Sequence, residues 1–245
     1  MLDSVPMAAT LSTVLAHLFA AYLVFGQPFV GRGRFRGLKE QLEAGGEGAR
    51  LRFYRLVLVA QLGLVLTVAG IWLLGSIPAL SFGLTAPDSP AMNVALAAFL
   101  VTLVASTVVL RHTGDRRLKR ALQLAGPLLP MTTAERWWFA LVSLGAGFSE
   151  ELACRGFMIF YLGTYLPWLG LRGAVVVSSL AFGLGHLYQG VRGVLVTAMA
   201  GLFLATVYVI SGTLLVPMVA HAAIDLRLLA IFTPERLRKL TAAGA

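Results

Sequence analysis

The sequence predicts an all-α protein, a polytopic bundle of about seven transmembrane helices. Apolar residues make up 58% of its 245 residues and charged residues only 13%, whereas a water-soluble domain of this size carries about a quarter charged residues. Seven stretches are apolar and close to the ~20 residues that a helix needs to cross the hydrocarbon core. Basic residues concentrate in the segments between these stretches, which is typical of a membrane protein.

The predicted spans follow one another along the whole chain. Predominantly apolar runs define each of them, and some are slightly short for a full crossing. They cover approximately 7–25, 56–77, 91–110, 133–163, 172–189, 193–211 and 213–232.

The distribution of charge predicts the orientation of the chain. Lys and Arg outnumber Asp and Glu by 20 to 11, and in so apolar a chain this balance favours contact with anionic lipid over binding to nucleic acid. Seven Lys or Arg lie in 31–55, five in 111–120 and three in 234–240. The positive-inside rule then places the N-terminus outside and the C-terminus in the cytoplasm of a multi-pass plasma-membrane protein.

Three parts of the chain differ in the polar residues that their helices carry. Residues 1–129 are predicted to be a scaffold of three helices with basic cytoplasmic loops. Residues 130–232 are predicted to form a core of four helices, and 233–245 a basic cytoplasmic tail. The fourth span begins with Thr132 and Glu135, the spacing of a capping box.

The stretch FSEELACRGF places three charges inside the fourth span. Each ionised residue at the centre of a membrane opposes insertion by ~2.5–3.5 kcal/mol, so the charges need partners. Glu151 and Arg155 are four residues apart and can pair on one helix face. Glu150 has no such partner in its own helix. It shares a face with Cys154, the single cysteine of the chain, which excludes an intrachain disulfide and a cysteine-rich metal cluster.

Two later spans also carry ionisable residues. His186 lies one turn after Phe182 near the end of the fifth span, and His221 lies one turn before Asp225 in the seventh. Because ionisable groups are costly against lipid, these faces should turn inward. Glu150, His186, His221 and Asp225 are therefore candidates for one shared site.

These residue types are suited to the activation of water. A carboxylate and a neighbouring imidazole can remove and shuttle a proton, which is general base catalysis. A second histidine and its turn-mate could stabilise the oxyanion that forms when water attacks an amide carbonyl. The residues thus favour peptide hydrolysis without a covalent intermediate.

The three motifs together resemble those of the CPBP family of intramembrane proteases. The motifs are Glu-Glu-x-x-x-Arg at 150–155, Phe-x-x-x-His at 182–186 and His-x-x-x-Asp at 221–225, within roughly 130–228. The family includes the type II CAAX prenyl endopeptidases and bacterial bacteriocin-processing or self-immunity proteins. The resemblance implies a helical membrane protease whose site is reached from the cytoplasmic side.

The resemblance also implies roles for individual residues. Glu150 and His186 match the pair that activates water, and His221 and Asp225 match the positions assigned to oxyanion stabilisation. Glu151 and Arg155 match a pair that shapes the site, and Phe182 is assigned to packing in it. The third motif often ends in asparagine. An ionised Asp225 cannot donate a hydrogen bond, so it could instead be protonated, orient His221 or favour a metal.

Several alternatives remain open at the level of sequence. Two histidines and two carboxylates (Glu150, His186, His221 and Asp225) could bind zinc, although metal-free catalysis is favoured because the helical His-Glu-x-x-His signature is absent. The same residues could form the proton relay of a transporter, or survive in a non-catalytic immunity-type membrane partner. Cys154 and His17 are predicted to be packing and hydrogen-bonded residues. The substrate is a peptide or lipid-anchored protein of unspecified sequence.

Overall fold

The described part of the protein is helical throughout. The computed structural model describes residues 7–85, 90–112 and 126–242, and no strand occurs among them. The predicted basic segment 111–120 lies, beyond His112, outside the described residues. The α-helices are α1 Met7–Ala21, α2 Gln27–Glu43, α3 Ala49–Gly75, α4 Pro90–His112, α5 Thr133–Glu151, α6 Met158–Tyr165, α7 Gly170–Gly185, α8 Gly190–Ser211, α9 Leu215–Ile231 and α10 Pro234–Ala242.

The all-α, multi-pass architecture is confirmed, but the predicted count of seven spans is not. Among the described residues five helices are long and apolar enough to cross a membrane, or six if α9 and α10 are taken as one span bent by 68°. The continuous helix 133–165, the predicted fourth span, is not among them. Its five charged side chains lower its mean hydropathy (Glu135, Arg136, Glu150, Glu151 and Arg155).

The basic segment that the sequence places in a loop between the first two spans is mostly helical. The helix of the first predicted span does not end near residue 25, because a π-helical turn at Tyr22–Gly26 leads directly into α2. The resulting helix Met7–Glu43 has 37 residues, about 55 Å at 1.5 Å per residue, longer than the ~30 Å hydrocarbon core. The basic residues of α2 therefore extend beyond the apolar region.

The C-terminal segment is also more ordered than a tail. α10 follows α9 after a sharp bend, and its Leu237 and Leu240 are buried against Leu129, Ile231 and Phe232. α10 carries its charged residues on the remaining positions, as an amphipathic helix does. The predicted basic tail is thus a helix packed against the core over its described residues.

The core lies around the middle of the long helix that contains α5 and α6. α5 packs against both α3 and α9, and α7 packs along α8. Phe19 of α1 and Ile71 of α3 belong to the same buried apolar cluster as Phe157, which follows Glu151. Glu151 and Arg155 therefore lie beside the buried apolar core.

Both ends of the bundle are fixed by hydrogen bonds between distant parts of the chain. At the basic end, Arg136 Nη2 donates to the carbonyl of Leu229 at 3.0 Å, which joins the start of α5 to the end of α9. At the opposite end, the amide of Leu214 donates to the carbonyl of Gly83 at 2.8 Å. These contacts fix the position of α9 along its axis relative to α5, and therefore determine which residues of the two helices are in contact.

Candidate active site

α5 begins where the sequence predicts it. The side chain of Thr132 accepts a hydrogen bond from the amide of Glu135, and the Glu135 carboxylate accepts one from the amide of Thr132. This capping box satisfies free amides at the start of the helix. It fixes the first residue of α5 and thereby the height of the charged motif, which lies at the opposite end of the same helix.

A π-helical turn directly follows the adjacent residues Glu150 and Glu151. Residues Leu152–Phe157 are π-helical, and α6 continues the helix from Met158 without a break. Such turns insert one extra residue into an α-helix and are frequent at functional sites. The sequence predicts a helix over 133–163 but gives no sign of the π turn.

Glu151 is the centre of a buried ionic cluster. It is fully buried, and its Oε1 accepts hydrogen bonds from Arg155 Nη1 at 2.9 Å and from His221 Nδ1 at 2.8 Å. We call Glu151, Arg155 and His221 the buried cluster. The predicted pair of Glu151 and Arg155 is present, but the contact with His221 was not anticipated. Sequence spacing cannot show a contact between helices 70 residues apart.

Arg155 is compensated on three sides although it has no exposed surface. Its guanidinium pairs with Glu151, donates to the carbonyl of Gly201 at 3.0 Å, and lies 4.4 Å from the centre of the Phe182 ring. A buried guanidinium needs this kind of compensation because desolvation of a charge is expensive. Phe182, predicted as a packing residue, thus packs on Arg155.

Two glycines allow the helices to approach closely around the cluster. A Cβ at Gly147 would lie 2.7 Å from the carbonyl oxygen of Met218 and 2.9 Å from the Cβ of Ala222. A Cβ at Gly201 would lie 3.1 Å from the Phe182 ring and 3.3 Å from Arg155 Nη2. Small residues of this kind permit close helix packing in membranes. Gly147 therefore brings α9, and with it His221, within reach of Glu151.

His186 lies at the end of α7, in the residue that follows its last helical position. Its Nδ1 lies 2.9 Å from the carbonyl oxygen of Phe182. A carbonyl only accepts hydrogen bonds, so Nδ1 carries the proton in this contact. The neutral ring then has its lone pair on Nε2. His186 is partly buried, and its Nε2 is the atom that can accept a proton.

Glu150 and Asp225 lie at the same level as the histidines but are less enclosed. Glu150 is partly buried, and the side chain of Asp225 is 34% exposed. Asp225 Oδ2 lies 3.8 Å from His221 Nε2, which is too long for a hydrogen bond. Glu150 interacts electrostatically with both His221 and Asp225, and Asp225 does so with His186. We call Glu150, His186 and Asp225 the half-buried group.

Glu150 differs from its neighbour in having no hydrogen-bond partner within the described part of the chain. Adjacent residues of a helix point about 100° apart, so Glu151 faces α9 and the core while Glu150 points away from it, within electrostatic range of Asp225. The geometry brings the four predicted residues Glu150, His186, His221 and Asp225 together from three helices. It leaves the Glu150 carboxylate available to accept a hydrogen bond.

Tyr188 adjoins this group and is not singled out by the sequence. Its ring centre lies 5.7 Å from that of His186 and 5.1 Å from that of Phe35 on α2. It also interacts electrostatically with Glu150 and Asp225. The spacing His-x-Tyr is too common to indicate a contact. Only the short turn Leu187–Gln189 and the nearby α2 bring the hydroxyl-bearing ring to the site.

Cys154 occupies a packed position and the exposed His17 a hydrogen-bonded one, as the sequence predicts. Cys154 is buried with a free thiol, and its backbone carbonyl accepts a hydrogen bond from Ser178 at 2.5 Å. His17 Nδ1 lies 2.8 Å from the hydroxyl of Tyr161. Both residues lie among structural contacts outside the half-buried group.

The described residues contain no group of three or more His, Cys, Asp and Glu side chains placed to hold a metal ion. His221 Nδ1 is engaged by Glu151, and His186 Nδ1 faces a backbone carbonyl. The zinc arrangement that the sequence leaves open would require the remaining Nε2 atoms and the carboxylates of Glu150 and Asp225 to converge.

Comparison with known protein families matches the part of the chain that holds this geometry. Residues 132–227 match the family model described as type II CAAX prenyl endopeptidase Rce1-like. The match confirms the resemblance to CPBP intramembrane proteases. No curated protein and no solved structure matches the chain.

The Rce1-like segment contains all three motifs and ends two residues after Asp225. It includes the buried cluster and the half-buried group, and it excludes α1, α2, α3 and α4. The match to this family supports a protease that acts on a protein substrate in a multi-pass membrane setting.

Proposed function

We propose that the protein is an intramembrane endopeptidase that hydrolyses a peptide bond with water activated by Glu150 and His186. The observation that carries this proposal is the meeting of Glu150, His186, His221 and Asp225, from three helices, inside the Rce1-like segment. Ionisable groups inside a membrane bundle are costly and mark functional positions. Here Asp225 is within electrostatic range of the other three residues.

Glu150 is proposed as the general base. Its carboxylate has no protein hydrogen-bond partner among the described residues, so it can accept one from a water molecule. His186 has its Nδ1 proton fixed on the carbonyl of Phe182, which leaves Nε2 to hold the same water or to accept its proton. The proton can then pass to the amine of the leaving peptide.

His221 is proposed to stabilise the oxyanion. The Glu151 carboxylate accepts the Nδ1 proton and thereby fixes the ring, so that Nε2 of the protonated imidazole donates towards the site. Asp225 is proposed to favour the protonated imidazole from 3.8 Å rather than to donate a hydrogen bond itself. Asp225 thus has a proposed role at a position where the family pattern often has asparagine.

The proposed setting of the reaction is the cytoplasmic leaflet. The charges of α2 and α10 support a cytoplasmic position for the end of the bundle that carries the turn Leu187–Gln189. The N-terminus then lies outside and the C-terminus in the cytoplasm. Proposed partners are a peptide or lipid-anchored protein substrate and a bilayer with anionic lipid, not nucleic acid. Helices before residue 130 serve as a scaffold.

The proposal is tested by comparing membrane proteomes. A deletion strain restored with the intact protein should release peptide products that are absent when it is restored with Glu150→Ala at equal abundance. Equal product formation by the two strains would refute Glu150 as the base. Loss of proton-dependent solute uptake instead of cleavage would favour the transporter alternative.

Metal-free catalysis is proposed for the same site, because the described residues contain no group of three or more His, Cys, Asp and Glu side chains placed to hold a metal ion. Incubation of the purified protein with a zinc chelator should leave the cleavage rate unchanged. A loss that added zinc restores would show that the site is a metalloprotease site.

A further inference from the structure

A groove lies between α2 and the turn that follows His186. It has a volume of about 440 Å³. Cationic and aromatic side chains form most of its wall, and no carboxylate lines it. The lining residues are Phe29, Arg32, Gly33, Phe35, Arg36, Lys39 and Tyr188.

The cations of this groove form one stripe along α2. Arg32, Arg36 and Lys39 are separated by four and three residues and therefore lie on one face of the helix. All three are exposed. Arg36 has a carboxylate nearby, Glu40 at 3.7 Å, but both side chains of that pair are solvent-exposed, and such pairs contribute little. The groove thus presents unneutralised positive charge.

Towards α1, the helix face that carries these cations becomes apolar. Phe29 lies three residues before Arg32 on the same face, and it is 67% exposed. The continuous helix Met7–Glu43 is longer than the hydrocarbon core, so its sequence passes from an apolar half to a basic half. A change from exposed aromatic to exposed cationic residues along one face is typical of the level of lipid headgroups.

We propose that this groove binds the headgroup of an anionic phospholipid. The phosphate lies against Arg32, Arg36 and Lys39, and an acyl chain passes along Phe29 towards α1. Charge complementarity favours an anion, and the exposed apolar continuation favours a lipid over a free phosphate or a peptide carboxylate. Tyr188 forms the inner wall beside His186, so the bound lipid restrains the turn Leu187–Gln189.

Lipid binding is measured with the full-length protein, purified and delipidated in neutral detergent. Native mass spectrometry should show retention of phosphatidylglycerol over phosphatidylcholine. Each of Arg32→Gln, Arg36→Gln and Lys39→Gln should weaken that retention about fivefold, since a basic residue near anionic lipid contributes ~1 kcal/mol. Arg172→Gln, an exposed arginine in the first turn of α7, should leave it unchanged.

Two kinds of result would overturn the lipid site. One is equal retention of both lipids, or equal weakening by Arg172→Gln. The other is displacement of phosphatidylglycerol by inorganic phosphate, or by a short peptide acid but not by its amide, since the groove would then be an anion or carboxylate site. None of these measurements depends on the proposed protease activity.

Hydrogen exchange tests the contact with the turn. In nanodiscs that contain phosphatidylglycerol, amides of 186–190 should exchange more slowly than in phosphatidylcholine alone, and the difference should disappear in the Arg32→Gln/Arg36→Gln variant. An unchanged exchange rate with lipid bound would overturn the restraint of the turn.

Discussion

The buried cluster and the half-buried group bring ionisable side chains into the same bundle in opposite ways. In the buried cluster, Glu151 and Arg155 have no exposed surface, and each touches specific partners. In the half-buried group, Glu150 has no partner among the described residues and Asp225 keeps a third of its side-chain surface. Adjacent glutamates thus occupy opposite surroundings.

The two glutamates thus differ in role: Glu151 is structural, and Glu150 is available for catalysis. The Glu151 carboxylate, whose Oε1 accepts hydrogen bonds from Arg155 and His221, joins two helices, and its complete burial separates it from water. The neighbouring Glu150 carboxylate, without such partners among the described residues, can accept a proton from water. His221 connects the two regions, because Glu151 fixes one side of its ring while the other side faces Asp225.

The largest expected effect is on catalysis in the half-buried group. His186→Ala should reduce the cleavage rate about 10²–10⁴-fold, as loss of a general acid or base does, without changing the unfolding temperature. The rate is measured on a cleavage product identified by mass spectrometry. His17→Ala removes a histidine that contacts Tyr161 instead, and it should cleave at the normal rate. Equal losses in both variants would contradict the distinction.

Disruption of the buried cluster should lower the free energy of unfolding by a comparable amount. Arg155→Ala leaves the Glu151 carboxylate buried without its main partner, so it should lower stability by about 3–5 kcal/mol. Unfolding in a defined detergent measures the change. The control Arg172→Ala removes an exposed arginine and should alter stability by less than about 0.5 kcal/mol. A similarly small effect of Arg155→Ala would show that the cluster does not hold the bundle together.

A smaller effect is expected where α5 approaches α9. Gly147→Ala introduces a Cβ within 3 Å of the α9 backbone, and such overpacking lowers stability by about 1–3 kcal/mol. Gly163→Ala on α6 has no atom within 4 Å of its new Cβ. It should be neutral or stabilising by up to about 1 kcal/mol, because alanine favours helix. If both substitutions behaved alike, close packing at Gly147 would not be what brings His221 to Glu151.

Much of this molecule follows from local sequence signals. Apolar runs predicted the helical membrane fold, the spacing of Thr132 and Glu135 predicted the cap of α5, and the interval between Glu151 and Arg155 predicted their pair. Each of these features depends on residues within a few positions of one another. Periodicity and spacing are sufficient to show them.

Other features depend on distant parts of the chain and were missed. The contact of Glu151 with His221, the aromatic wall at Tyr188 and the π-helical turn Leu152–Phe157 arise from packing between helices. The count of seven spans was not confirmed because the charges that mark the site also make its helix less apolar. The basic run of α2 resembled a loop because charge alone does not distinguish an exposed helix from a turn.

The most direct test of the division between adjacent glutamates is the unfolding temperature of Glu150→Gln and Glu151→Gln, measured side by side with the cleavage activity of each. We expect Glu150→Gln to unfold like the intact protein and to be inactive, because it loses only a proton acceptor. Glu151→Gln should unfold at a clearly lower temperature, because Arg155 loses its buried counter-charge. Normal stability of Glu151→Gln, or full activity of Glu150→Gln, would contradict the account.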